Sequence, residues 1–300
     1  GMSRVSECTI FGDARVTQTQ TADVAGQLAV GVRYFDLRPA VWKVTDDSPT
    51  LYTGHFSSAA GGQGCLGEKL SDILDAVARF MQSTQDEIVI LKFSHYGDSD
   101  TRAFPPALQQ RMIALVQGTL HSWMLTAQVG EKAGRLTVGQ VIDGGKRVLC
   151  VFDGLAPDLY DPANGILQYG SVDPANPDAL QQTNLDVYDS YTGTENTVMM
   201  MADQLFKYRQ FTRAPLDDGE FFLLSYTLTL SDLDSTPAGS GSILELAAKA
   251  NQWLWQYTTG LFPPSSPARP PNFIYVDAVD AATPLRAALY CNAMAAAPPA

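Results

Sequence analysis

Positive charge is scarce in this sequence. Only 20 Lys and Arg residues face 32 Asp and Glu residues, so the formal net charge is −12 at pH 7. Nucleic-acid binding depends on Lys and Arg at phosphates, and attraction to anionic membranes needs basic clusters. The charge balance therefore argues against a nucleic-acid partner. It leaves local or apolar contact as the way in which this chain would reach a lipid surface.

Long apolar runs and metal-type cysteine spacing are also missing. The apolar stretches are far shorter than the roughly 20 residues of a membrane-spanning helix. Among the four cysteines no CxxC occurs. Cys150 lies in an apolar strand pattern and is predicted to be a free core thiol, while one disulfide among Cys8, Cys65 and Cys291 is left open. The opening "GMSRVSEC" shows no signal peptide. The location stays open: secreted if a signal peptide precedes Met2 in the gene, cytoplasmic otherwise.

What the sequence does have is 45% hydrophobic residues, enough for a sizeable core. Strands are predicted over 31–37, 87–93, 146–152, 221–229 and 272–279, with weaker ones over 5–11, 165–170 and 184–190. Helical spacing is found over 68–84, 106–124, 195–211 and 241–257. Strands that alternate with helices indicate parallel βαβ units. We therefore predict one α/β barrel domain over residues 1–300.

Polar side chains interrupt or follow the apolar strands. Asp36 and Arg38 end "GVRYFDLRP", Lys92 lies inside "IVILKFS", Asp277 ends the last strand, and His55 follows a glycine in "LYTGHF". The C-terminal ends of barrel strands meet at one mouth, so these groups are predicted to lie together. A guanidinium neutralises phosphoryl oxygens and an imidazole moves protons. The pattern indicates a site for a phosphate ester.

Simpler interpretations exist for the same residues. The first alternative is that Asp36 and Arg38 form a salt bridge that only satisfies buried charge. Strand alternation puts His95 on the face opposite Lys92, so His95 is predicted to lie outside the mouth. His121, in a helical stretch, is predicted to be a surface or packing residue. Lys92 must be paired or functional, because burying a lone ammonium is costly.

The order and spacing of "QLAVGVRYFDLRPAV", "LYTGHF" and "LGEKLSDILDAVARFMQSTQDEIVILKFSHY" resemble the X domain of phosphatidylinositol-specific phospholipase C, best over residues 17–96. "VYDSYTGTENTVMMMADQL" and "PNFIYVDAVD" extend the resemblance. It implies a distorted (β/α)8 TIM barrel with its first strand missing or altered. Calcium-dependent relatives have a metal ligand where this chain has Arg38, so the chain is similar to the metal-independent bacterial lyases. No metal and no cofactor are expected.

The resemblance also implies roles for individual residues. Arg38 would hold the phosphoryl oxygens while Asp36 orients a neighbour, and His55 would be the general acid. Asp277 would orient the family's first catalytic histidine. Further substrate contacts are implied for Lys92, Asp189 and Tyr191, although core packing is the alternative for the last two.

That first histidine, the general base, has no counterpart, since no histidine precedes His55. In one alignment "VSECTIFGDARV" is the first strand and its turn, with Ala14 and Arg15 in place of a His-Asp pair. In the other, which we favour, Met2 and Ser3 continue a motif whose catalytic residues lie upstream of the start codon. General acid–base catalysis contributes about 10²–10⁴-fold. The chain as given is therefore expected to be slow or inactive.

Three functions remain from the sequence. The first is a phospholipase C-like phosphodiesterase that converts a phosphoinositide to diacylglycerol and a cyclic inositol phosphate during transient contact with a membrane surface. The second is a non-catalytic module that binds phosphate or inositol. The third, a glycerophosphodiester phosphodiesterase, needs a metal cluster where Arg38 stands. The sequence does not indicate an oligomeric state.

Overall fold

The structure is a computed structural model that describes residues 2–56, 63–172, 183–214, 219–230, 241–263, 269–279 and 283–296 of the 300-residue chain. The strands are β1 (Glu7–Cys8), β2 (Tyr34–Leu37), β3 (Pro39–Val41), β4 (Tyr52–Phe56), β5 (Gly64–Lys69), β6 (Val89–Phe93), β7 (Gly97–Asp98), β8 (Val148–Phe152), β9 (Leu167–Ser171), β10 (Leu185–Tyr188), β11 (Glu220–Ser225) and β12 (Phe273–Tyr275). The α-helices are α1 (Val24–Ala29), α2 (Leu70–Ser83), α3 (Pro106–Leu120), α4 (Val138–Asp143), α5 (Thr197–Arg213), α6 (Ile243–Leu261) and α7 (Pro284–Ala296).

Seven strands form a nearly closed parallel barrel. Their order is β2-β6-β8-β9-β10-β11-β12, and each neighbouring pair is parallel. The two end strands approach each other, since the rings of Tyr34 on β2 and Phe273 on β12 lie 4.8 Å apart. Within the described residues no strand fills the position between them. The predicted α/β barrel is confirmed, with seven strands in this sheet.

The apolar patterns of the sequence explain the layers. β8 is buried along its whole length, as a barrel strand covered by helices should be. α2 buries the side chains spaced at i, i+3 and i+4, among them Ile73, Leu74 and Val77. Each such side chain contributes about 1.5–3 kcal/mol when it leaves water. No helix in the described ranges is both long and apolar enough to cross a membrane.

A second sheet, in the order β1-β5-β4-β3-β7, stands at one side of the barrel mouth. One residue separates the end of β2 from the start of β3, and three residues separate the end of β6 from the start of β7. Two barrel strands thus continue past the mouth into this sheet, and β4, which pairs with β3, carries His55. The sequence did not predict this sheet, because its strands are short and include Pro39, Gly54 and Gly64.

One alignment of the N-terminal region proves wrong. Residues 5–11 would have supplied the first barrel strand, with Ala14 in the place of a catalytic histidine. Instead β1 pairs antiparallel with β5 in the second sheet. Ala14 begins a short 3₁₀ turn in which Arg15 pairs with Asp13 at 2.6 Å. Ala14 is not among the residues that line the mouth.

A disulfide links β1 to β5. Cys8 and Cys65 are bonded across a sequence separation of 57 residues, whereas Cys150 and Cys291 are free and buried. The free core thiol predicted at Cys150 is therefore confirmed. Cys65 also faces His55 in the register of β5 and β4. The bond fastens the strand that neighbours the candidate site.

We expect this disulfide to contribute substantially to stability. Chain entropy gives about 4 kcal/mol for a closed loop of this length. In urea unfolding, the variant with both Cys8→Ser and Cys65→Ser should lose up to about that amount, and dithiothreitol should lower wild-type stability similarly. Dithiothreitol should leave the double variant unchanged, which is the control. Equal stability of the oxidised wild type and the double variant would contradict the prediction.

Candidate active site

A cavity of about 650 Å³ opens at the C-terminal ends of the barrel strands. In (β/α)8 enzymes this end carries the chemistry. The seven residues singled out from the sequence all line this cavity: Asp36, Arg38, His55, Lys92, Asp189, Tyr191 and Asp277. Their individual roles stay predictions.

Arg38 joins β2 to β3 at the edge of the cavity. Its guanidinium makes no hydrogen bond or ion pair with any described residue, while its carbonyl accepts a bond from the Gly54 amide at 2.8 Å. Asp36 is engaged differently, since its Oδ1 accepts a bond from the Ser94 hydroxyl at 3.0 Å. The salt-bridge interpretation of Asp36 and Arg38 therefore gains no support. Arg38 is a cation available to an anionic ligand.

Asp36 remains ionised inside the cavity wall. Burial favours its neutral form, but the charges of Lys92 and Arg38 and the Ser94 hydroxyl outweigh burial and hold the pKa of Asp36 below its usual value. Asp36 and Lys92 face each other in the register of β2 and β6. A carboxylate that only accepts hydrogen bonds thus lies directly across the strand pair from the buried Lys92 ammonium.

Lys92 is paired, as its burial required. Its Nζ lies 2.6 Å from Asp189 Oδ2 and 4.1 Å above the ring centre of Tyr169. The Tyr169 hydroxyl donates to the same carboxylate oxygen at 2.9 Å. Asp189 Oδ1 accepts no bond from the described residues. One oxygen of Asp189 is therefore held in place while the other can accept a hydrogen bond from a ligand.

His55 is held in one tautomer. Its Nδ1 lies 3.1 Å from the Thr17 carbonyl, which can only accept, so Nδ1 carries the proton and Nε2 has a free lone pair. Burial and then the charge of Arg38 lower the pKa of His55 to about 4. The ring is therefore neutral at pH 7. A general-acid role for His55 requires a bound anion that raises this pKa.

The prediction that His95 lies outside the mouth is wrong. Between the pairs Leu37–Phe93 and Ala40–Gly97 the β6–β7 strand contains one residue more than its neighbour, which defines a β-bulge. His95 lies in this bulge with a φ of 53°. Such a bulge breaks the alternation of side chains and re-aims one of them. The His95 side chain consequently lines the cavity.

The third histidine lies elsewhere. His121 is exposed at the C-terminal end of α3, where its carbonyl accepts a bond from Lys146. It is a surface residue, as predicted.

Asp277 lines the cavity beyond β12. Burial raises the pKa of Asp277 to about 6, and the nearby charge of Asp36 adds to this while Arg38 opposes it. No histidine among the described residues hydrogen-bonds to Asp277, so the orienting role expected of Asp277 stays a prediction. Met2 and Thr19 line the neighbouring part of the cavity. The amide of Ala278, next to Asp277, donates to the Thr19 carbonyl at 2.7 Å.

Asp277 should make stability depend on pH. Below about pH 4 the carboxyl is protonated in folded and unfolded chains alike. As pH rises towards 6 the unfolded chain releases its proton first, so the folded state loses stability. Asp277→Asn should remove this loss, and its stability relative to wild type should rise between pH 4 and pH 7 by up to about 3 kcal/mol. Urea unfolding at both pH values measures this difference; a pH-independent difference would contradict it.

The sequence did not single out several residues of the cavity. Tyr169 and Tyr275 lie on barrel strands, and alternation along "GILQYG" and "NFIYVD" could have indicated that they face inwards. Asp153, directly after β8, followed the same strand-end rule as Asp36. No sequence pattern could have indicated Thr17, because it reaches the site through a loop.

The opposite end of the barrel holds a separate buried charge cluster. Lys132 lies 3.0 Å from Glu220 at the start of β11 and 3.1 Å from Asp186 on β10. In the described part of the chain, no group of three or more His, Cys, Asp or Glu side chains is arranged to hold a metal ion.

The fold is shared with bacterial phosphatidylinositol-specific phospholipases C. The enzyme from Listeria monocytogenes superposes with a TM-score of 0.58 over 90% of this chain and 82% of the other, at 16% identity. A variant of the enzyme from Staphylococcus aureus gives 0.54 over 88% and 80%, at 18% identity. The architecture is therefore the distorted TIM-like barrel that these enzymes also have.

Sequence comparison points in the same direction for part of the chain. The PI-PLC X domain-containing protein 3 of Homo sapiens is 35% identical over 78 residues, which are 26% of this chain. A PI-PLC X-box domain-containing protein of Dictyostelium discoideum is 27% identical over 151 residues, or 50% of this chain. The matches span only 22% and 17% of the lengths of these relatives. No protein-family profile matches the chain.

Proposed function

We propose that this protein belongs to the phosphatidylinositol-specific phospholipase C X-domain family and cleaves the phosphodiester of a phosphoinositide. The observation that carries the proposal is the Arg38 guanidinium at the barrel mouth, which pairs with none of the residues that the structure describes and lies beside a histidine whose Nε2 is unprotonated. A planar guanidinium binds two phosphoryl oxygens at once and stabilises the charge that develops on them.

The reaction proceeds by attack from within the substrate. The inositol 2-hydroxyl loses its proton, and its oxygen forms a bond to phosphorus. The bond from phosphorus to the diacylglycerol oxygen breaks, and that oxygen receives a proton. The products are diacylglycerol and a cyclic inositol phosphate, with no water consumed. In this scheme Arg38 holds the non-bridging oxygens, and His55 donates the proton to the leaving oxygen once the bound phosphodiester has raised its pKa.

The deeper part of the cavity offers contacts for a polyhydroxyl ring. Asp189 Oδ1 has no partner among the described residues and can accept from a ring hydroxyl, while Lys92 and Tyr169 fix the other carboxylate oxygen. Tyr191, 66% exposed, stands at the rim of the same cavity. Its ring can cover one face of the inositol.

Exposed apolar side chains near the mouth support a lipid surface as the location of the substrate. Tyr191 follows β10, and Val198 and Met199 in the first turn of α5 are 69% and 60% exposed. The net charge of −12 makes electrostatic attraction to anionic lipid unfavourable. Contact through apolar side chains agrees with that charge.

The proposal is tested by product identity. Purified protein is incubated with phosphatidylinositol in detergent micelles that contain EDTA, and ³¹P NMR follows the phosphorus signal. We expect conversion to a five-membered cyclic phosphate, and none from phosphatidylcholine, whose headgroup has no hydroxyl for attack. A non-cyclic phosphate formed only after metal is added would favour the glycerophosphodiesterase alternative. Binding of inositol phosphate without turnover would favour the non-catalytic module, for which the low pKa of His55 is the supporting observation.

A further inference from the structure

His55, Arg38 and His95 lie on three adjacent strands of the continuous wall that joins the barrel to the second sheet. Arg38 lies between β2 and β3, and its carbonyl bonds to the Gly54 amide, next to His55 on β4. On the other side, the Ser94 amide donates to the Leu37 carbonyl at 3.0 Å, which places the bulge with His95 beside the end of β2. Adjacent strands are about 4.8 Å apart. Arg38 is therefore flanked by one histidine on each side.

The His95 ring is connected to a carboxylate through one hydroxyl. His95 Nδ1 lies 2.9 Å from Ser94 Oγ, and Ser94 Oγ lies 3.0 Å from Asp36 Oδ1. Because Asp36 is ionised and can only accept, the Ser94 proton points to Asp36, and the Ser94 oxygen accepts from His95 Nδ1. The proton of neutral His95 is therefore on Nδ1. Its Nε2 has a free lone pair.

We propose that His95 is the general base of this site. This inference rests on the proposed phosphodiesterase function. His95 Nε2 takes the proton of the inositol 2-hydroxyl, and Ser94 and Asp36 are positioning residues that fix the ring and stabilise its protonated form. His55, on the other side of Arg38, serves the leaving oxygen. Solvent then returns both histidines to their starting protonation states.

Three features of His95 support this role. The ring is at the exposed edge of the cavity, within reach of substrate. Burial and the charges of Arg38 and Lys92 lower its pKa, while Asp36 and Asp153 oppose them, so the ring is neutral at pH 7 as a base must be. The bulge also holds His95 at a positive φ, which is uncommon for residues other than glycine, and such conformations cluster at functional sites.

Kinetics on phosphatidylinositol test the catalytic role, with His121→Ala as the matched control. His95→Ala should lower kcat by about 10²–10⁴-fold, whereas His121→Ala should leave it unchanged. In Ser94→Ala the link to Asp36 is broken, so the acidic limb of the kcat–pH profile should move to lower pH. Wild-type turnover that survives His95→Ala overturns the inference alone. A wild type without turnover overturns it together with the proposed function.

NMR tests the hydrogen-bond chain without turnover. The chain has three histidines, so ¹⁵N spectra of the imidazoles can be assigned with the three His→Ala variants. His95 should show its proton on Nδ1, and its pKa should fall in Ser94→Ala. A proton on Nε2 of His95, or a pKa that does not change in Ser94→Ala, would contradict the positioning role of Ser94 and Asp36.

Discussion

Replacing Arg38 by alanine should lower the rate of phosphatidylinositol cleavage by about 10²–10³-fold, the typical loss when one group that stabilises developing charge is removed. The physical reason is that the Arg38 guanidinium has no partner among the described residues, whereas Lys92 is already paired with Asp189. Arg38→Lys keeps the charge but loses the planar fork, so it should recover only part of the rate. Initial rates in detergent micelles measure both variants.

The matched control for Arg38 is Arg33, at the opposite end of the same strand region. Arg33 pairs with Glu87 at 2.8 Å and does not line the cavity. Arg33→Lys should therefore leave the rate within about twofold of wild type, because Arg33 does not reach a substrate in the cavity. An Arg38→Ala variant that folds normally and keeps the wild-type rate would remove Arg38 from the chemistry.

His55→Asn should lower kcat by about 10²–10⁴-fold, the contribution of one general acid. Asparagine can still donate to the Thr17 carbonyl, so the loop that carries Thr17 should stay in place while Nε2 is lost. Rates and thermal unfolding are measured together, with His121→Asn as the control on the surface. An unchanged rate in a folded His55→Asn protein would show that the leaving oxygen is protonated by another group.

The sequence anticipated the barrel because its strands carry continuous apolar runs and its helices carry clear spacing. It could not anticipate the second sheet, whose strands such as Pro39–Val41 and Gly97–Asp98 have little β-propensity and form because neighbouring strands lead into them. The pairing of Cys8 with Cys65 depends on that sheet. It therefore lay beyond sequence reasoning as well.

The candidate site was predictable where it followed strand ends, as for Asp36 and Asp277. The prediction for His95 was wrong because it assumed strict alternation of side chains through a bulge. A one-residue insertion relative to the neighbouring strand cannot be recognised in a single sequence. The consequence for function is direct. Sequence reasoning had placed only His55 at the mouth, whereas the folded chain brings both His55 and His95 to one cavity.

The most direct test is isothermal titration of myo-inositol 1-phosphate into the wild type, Arg38→Ala and Arg33→Ala, because phosphate recognition at Arg38 underlies both turnover and simple binding. We predict one binding site in the wild type and unchanged affinity in Arg33→Ala. Binding to Arg38→Ala should be about 10–100-fold weaker, which is the loss expected when a hydrogen bond to a charged group is removed. Equal affinity of wild type and Arg38→Ala, or no binding to the wild type, would contradict the assignment of the barrel mouth as a phosphate site.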